Sequence, residues 1–128
     1  MDWQNILEWD ESNLDDIRTI GFSYLKQGHY SYATNCFKAL VTLNPNNPYD
    51  NQTLGSLYLQ EKKYMLALEY LDKSISLNPK SYLAILNRSR VLFSLGYINQ
   101  GLAQARALVK CDNKQISSSA SALIAAYL

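Results

Sequence analysis

Apolar residues recur along this chain at three- and four-residue spacing, in runs interrupted by Gly, Asn and Pro. Leu14, Ile17, Ile20, Gly21, Tyr24 and Leu25 make one such stripe, the spacing that gathers side chains on one face of a helix. Lys26-Gln27-Gly28-His29 ends it, with Gly28 free to take the left-handed conformation of a helix terminus. A second stripe, Tyr32, Ala33, Cys36, Phe37, Leu40, Val41 and Leu43, runs to Asn44-Pro45. There proline lacks a donor and forces the preceding residue out of helical geometry. The pattern predicts a helical hairpin over residues 14–47.

The hairpin then repeats. Gly21, Tyr24, Tyr30, Ala33, Leu43, Asn44 and Pro45 recur after 34 residues as Gly55, Tyr58, Tyr64, Ala67, Leu77, Asn78 and Pro79. This predicts a second hairpin over 48–81, with Leu54, Gly55, Tyr58 and Leu59 on its first helix and Tyr64, Ala67, Leu68, Leu71 and Ile75 on its second. Pro48 heads the unit, where a missing N–H costs nothing. Gly21 and Gly55, with Ala33 and Ala67 on the second helices, allow close approach of the helix axes. Residues 82–114 form a degenerate third unit: Ser89 stands at the glycine position, Gly101 at the alanine and Asn113 at the proline, while Gly96 keeps the turn.

A self-similar period of this length is the signature of a solenoid, in which each hairpin buries its apolar face only against a neighbour. The fold class is therefore all-α: a single domain of three helical hairpins. Residues 115–128 add a closing helix with Ile116, Ala120, Leu123, Ile124, Tyr127 and Leu128 on one face, a lid for the exposed end of the third unit. Residues 1–13 are an acidic segment in which Trp3, Ile6, Leu7 and Trp9 predict a short helix, followed by a break at Ser12-Asn13 that caps the next one. Those four apolar residues either cover the first repeat or form a self-association or partner surface.

Charge sharpens this division. Six of the eleven acidic residues lie within the first sixteen positions, with no Lys or Arg among them, so that residues 17–128 carry +7 within a net charge of +1. The basic residues are scattered apart from Lys62-Lys63, which reads as a solvated face and not a phosphate-binding stripe, so no nucleic-acid partner is expected. The acidic segment can instead lie against the basic body or against a second copy of it. No stretch approaches the ~18 apolar residues of a membrane helix, and the start lacks a basic, apolar leader, so a cytoplasmic protein without a membrane partner is expected. Cys36 and Cys111 are isolated thiols, expected as small buried hydrophobes. His29 is the only histidine, lies in a turn, and has no nucleophile at a motif spacing. With no phosphate loop and no paired catalytic carboxylates, neither an enzyme nor a cofactor or metal site is expected.

The repeated Gly, Tyr, Ala and Pro positions resemble the tetratricopeptide repeat. At a finer level, Tyr24-Leu25-Lys26-Gln27-Gly28-His29-Tyr30, Cys36-Phe37-Lys38-Ala39-Leu40 and Ala105-Arg106-Ala107-Leu108 are similar to the small tetratricopeptide chaperones of bacterial type III secretion. That resemblance implies a cytoplasmic bacterial chaperone, tied to virulence, that masks a hydrophobic segment of a secreted partner: a translocator, a needle subunit or another export component. The chain has a shorter amino-terminal extension than the translocator chaperones and no polar tail after its last helix. The alternative is a general scaffold or adaptor within a multiprotein assembly. Self-association into a homodimer, or a heterocomplex with a second small chaperone, fits the acidic, Trp-bearing start.

The resemblance also implies that the first helix of each hairpin lines a concave groove. By register this selects Arg18, Thr19, Phe22 and Leu25 in unit one, Tyr49, Gln52, Thr53, Ser56 and Leu59 in unit two, and Leu83, Leu86, Asn87, Arg90 and Phe93 in unit three. Heat-shock co-chaperones of this fold grip a carboxyl terminus with a clamp of two Lys, two Asn and one Arg. The matching positions here hold Arg18, Phe22, Thr53, Leu83 and Asn87, and only Arg18 preserves the charge. The clamp is absent, and an apolar segment of a partner protein is the expected ligand.

Overall fold

The computed structural model describes residues 11–128. Trp3, Ile6, Leu7 and Trp9, and the short helix expected there, lie outside the described residues. Those described form seven α-helices and no strand: α1 (Glu11–Lys26), α2 (Tyr30–Leu43), α3 (Pro48–Gln60), α4 (Tyr64–Leu77), α5 (Tyr82–Ser94), α6 (Ile98–Val109) and α7 (Lys114–Tyr127). Consecutive helices pack in pairs, α1 on α2, α3 on α4 and α5 on α6. Each pair stacks on the next, and α7 closes the series against α6 and α5. The break expected at Ser12-Asn13 is corrected, since both residues lie inside α1.

The three hairpin turns share one geometry. At the end of α1 the Gly28 N–H donates to the Leu25 carbonyl and the His29 N–H to that of Tyr24; Lys62 and Lys63 repeat the pattern onto Leu59 and Tyr58, and Gly96 and Tyr97 onto Phe93 and Leu92. These paired bonds satisfy the last carbonyls of each helix and require a left-handed residue at the first donor position. Gly28 and Gly96 supply it at no steric cost, whereas Lys62 is held at a φ of 62°. The links between hairpins also have a common device: the Asn44 side-chain oxygen accepts from the N–H of Asn46, and that of Asn78 from Lys80. Each Asn thus makes the turn that its following proline begins. At the head of α3, the Asn47 side-chain oxygen accepts from the N–H groups of Tyr49 and Asp50, with Pro48 in the first helical turn.

Close helix approach follows from the small residues. A Cβ built on Gly21 would lie 2.8 Å from the Phe37 ring, and one on Gly55 2.8 Å from Leu71 Cγ. In the third hairpin the pair is inverted. Ser89 is fully buried and donates its hydroxyl to the Gly101 carbonyl at 2.9 Å, while the space a Gly101 side chain would need is filled by the Phe93 ring.

Two apolar clusters hold the stack. Leu14, Phe37, Leu40, Leu54, Leu57, Leu71, Ala84 and Val91 belong to the first, which runs from α1 to α5; Leu86, Ala105, Leu108, Ile116 and Ala120 form the second, shared by α5, α6 and α7. Ile116 and Ala120 are the buried part of the closing helix, whereas Tyr127 and Leu128 remain exposed. Cys36 and Cys111 are free and only half-buried, a correction to the expectation that both are core residues.

Candidate protein-binding groove

The helices α3, α5 and α7 enclose two neighbouring clefts. The first, of about 650 Å³, is walled by Ser56, Leu59 and Gln60 of α3, Asn87, Arg90 and Ser94 of α5, and Leu123 and Tyr127 of α7, with Lys62 and Tyr64 at its end. The second, of about 560 Å³, lies towards the amino-terminal ends of α3 and α5. Tyr49, Gln52, Lys80, Tyr82, Leu83, Leu86 and Arg90 line it, and Asn113, Gln115, Ile116 and Ser119 close its far side. Arg90 borders both. Clefts of this size with aromatic walls and a few convergent polar groups are the usual form of a binding site.

The floor between the clefts is a polar chain. The Ser56 hydroxyl donates to the Gln52 carbonyl at 2.9 Å and accepts from Asn87 Nδ2 at 2.8 Å, and Asn87 Oδ1 in turn accepts from Arg90 Nη1 at 2.8 Å. Asn87 is buried with both ends of its amide satisfied, so its orientation, and that of the guanidinium beside it, is fixed. Lys62, Lys80 and Arg90 line the clefts, and no carboxylate of the described residues does.

Of the residues selected by register, Tyr49, Gln52, Ser56, Leu59, Leu83, Leu86, Asn87 and Arg90 line these clefts, and the structure brings them together from two helices. Tyr49 is 65% and Leu83 43% exposed, whereas Leu86, at 2%, only closes the floor and otherwise packs in the second cluster. Arg18, Thr19, Phe22, Leu25, Thr53 and Phe93 line neither cleft. Arg18, where the clamp charge was expected, forms a fork on the Asp50 carboxylate, with Nε and Nη2 each 2.7 Å from an oxygen, and also contacts Asp15. Asp50 is buried in the first turn of α3, so this pair joins the first hairpin to the second. Phe22 is exposed on α1, edge-on to Phe37 at 5.1 Å between ring centroids. Leu25 packs against the first cluster, and the Thr19 and Thr53 hydroxyls bond back to the carbonyls of Asp15 and Tyr49. Phe93 corrects the register: it is 4% exposed, covers Gly101 and stacks on Tyr127 at 4.2 Å.

The contributions of Leu123, Tyr127 and Ser119 escaped a reading in which α7 is only a lid. A signal was present, because the 34-residue shift that carries Leu25 to Leu59 and Phe93 carries Phe93 on to Tyr127. The closing helix therefore stands where a further first helix would, and its inner face completes the groove. Burial pushes the Cys36 thiol up, and burial followed by Tyr70, Glu61 and Glu69 does the same to the Tyr58 phenol. Neither group lines the clefts.

Residues 51–81 match the Tetratricopeptide repeat family. Three solved structures align over nearly the whole chain, each at 20% identity. The first tetratricopeptide domain of Spaghetti (RPAP3), bound to an HSP90 peptide, has a TM-score of 0.83 with 92% of each chain covered. The chain folds as a tetratricopeptide-repeat solenoid. The same fold is seen in PcrH in complex with the chaperone binding region of PopD, with a TM-score of 0.83 over 93% of each chain. It is seen again in the type III secretion translocator chaperone SycD of Yersinia enterocolitica, with 0.81 over 96% of each. No curated protein matches the sequence. Among the described residues of this solenoid, no helix is long and apolar enough to cross a membrane, and no group of three His, Cys, Asp or Glu is placed to hold a metal.

Proposed function

We propose that the chain is a protein-interaction module whose groove between α3, α5 and α7 holds a segment of a partner protein. The observation that carries this reading is the pair of adjoining clefts, where exposed Tyr49, Tyr82, Leu83 and Tyr127 flank a fixed polar floor. Large aromatic and aliphatic side chains left open in a concave surface gain ~1.5–3 kcal/mol each when a partner side chain of similar size covers them. Two or three such anchors are enough for a stable complex.

The partner in this proposal is a secreted protein or export component with a hydrophobic segment, and the module is its bacterial cytoplasmic chaperone. The resemblance to PcrH, solved with the chaperone binding region of PopD, and to SycD supports this reading. The likeness to a domain that holds an HSP90 peptide supports the broader one, an adaptor within a larger assembly. Affinity capture of the tagged chain from its native host, followed by mass spectrometry, separates them. A secreted or export-machinery protein lost on Leu83→Asp or Tyr49→Asp, with helical content unchanged by circular dichroism, is the expected result. Partners drawn only from folded assemblies with no exported member would favour the adaptor, and retained capture by both variants would remove the groove from the account.

A further inference from the structure

The geometry points to Arg90 as the specificity residue of the groove: the partner segment carries an acidic side chain that meets its guanidinium, between large apolar residues that fill the two clefts. This rests on the groove reading above and narrows it to a peptide of stated chemistry. Arg90 sits where the clefts adjoin and borders both. Arg18 is forked on Asp50, and Arg88 pairs with Asp72 and also bonds Gln104, but no carboxylate among the described residues pairs with Arg90. Its one hydrogen bond goes to the Asn87 oxygen, itself locked by Ser56. A guanidinium has five N–H donors in a planar fork, so one face of this fork is spent on positioning and the rest is available to a ligand.

The surroundings choose the sign of that ligand. With Lys62 at one end, Lys80 at the other and no Asp or Glu of the described residues lining either cleft, an apolar segment without a negative charge would cover Arg90 and leave it half-buried and unpaired. A partner carboxylate turns that cost into a charge-assisted, two-pronged contact in a partly dehydrated groove. The aromatic walls on either side fix where it falls, with an apolar side chain towards Leu123 and Tyr127 and another towards Tyr49, Tyr82 and Leu83.

Selection of a random displayed-peptide library against the full chain tests this. Enriched peptides should carry an Asp or Glu with Phe, Leu or Trp on both sides. Synthetic copies should bind Arg90→Gln about tenfold more weakly than the unaltered chain, and Arg90→Lys in between. Thermal unfolding of both variants should stay within a few degrees of the parent, because Gln and Lys each still offer an N–H donor to the Asn87 oxygen at the cleft wall. Enrichment of apolar peptides lacking an acidic residue, or equal affinity for Arg90→Gln, overturns the acidic-ligand inference while leaving the groove reading intact. No enrichment at all, or enrichment undiminished by Leu83→Asp, overturns both. Displacement of the selected peptides by a synthetic peptide of residues 1–10, which carries Asp2, Glu8 and Asp10 beside its tryptophans, would make the amino-terminal segment of this chain, its own or a second copy's, the occupant and overturn the assignment to a separate partner.

Discussion

Lys62 and Arg18 show local strain and local order at the scale of single side chains. Lys62 stands in the left-handed position that Gly28 and Gly96 fill in the sister turns, and a side chain there costs about 1 kcal/mol. Lys62→Gly should therefore raise stability by about 1 kcal/mol and the melting temperature by a few degrees in thermal circular dichroism, and a lower melting temperature would contradict the strain. Arg18 contributes the reverse case. Because Asp50 is buried, Arg18→Ala or Asp50→Ala should each cost about 3 kcal/mol in urea unfolding, whereas the double variant should cost far less than the sum. Simple additivity would show that the two do not act as a pair. The turn at Lys62 was legible from the 34-residue shift alone. The Arg18–Asp50 fork was not, since register gives helix faces and not which side chains on successive hairpins reach one another.

At the scale of the element, the repeat wrote itself into the sequence because each packing position has a steric reason. Glycine at 21 and 55 lets Phe37 and Leu71 approach, and a side chain has nowhere to go. Gly55→Val should lower the urea midpoint by the equivalent of about 1–3 kcal/mol at unchanged slope, and an unaltered midpoint would place α3 and α4 farther apart than described. The hairpins, the Asn-Pro links and the closing helix followed from spacing. What spacing hid was the inversion in the third hairpin, where Ser89 opposes Gly101 and Phe93 fills the gap. A larger ring at a groove position drew inward to cover a missing side chain on α6, and its place at the groove edge passed to Tyr127 of α7. The Leu86 side chain likewise closes the floor, so Leu86→Asp would damage the second cluster and is no test of binding.

At the scale of the whole set of described residues, α3, α5 and α7 frame an open, basic, aromatic-walled groove along α5. Among the described residues this concavity stays open because α3, α5 and α7 present polar and aromatic side chains there while their other faces are spent on packing. The charge balance outside the first sixteen residues agrees with it. Whether a partner segment lies along this groove is tested most directly by site-specific photocrosslinking in the native host. A benzoylphenylalanine placed at Tyr49 or Tyr127 should join the chain to one and the same partner, and one placed at Tyr97, exposed at the turn into α6, should not. Crosslinks from Tyr97 alone, with none from Tyr49 or Tyr127, would contradict the account.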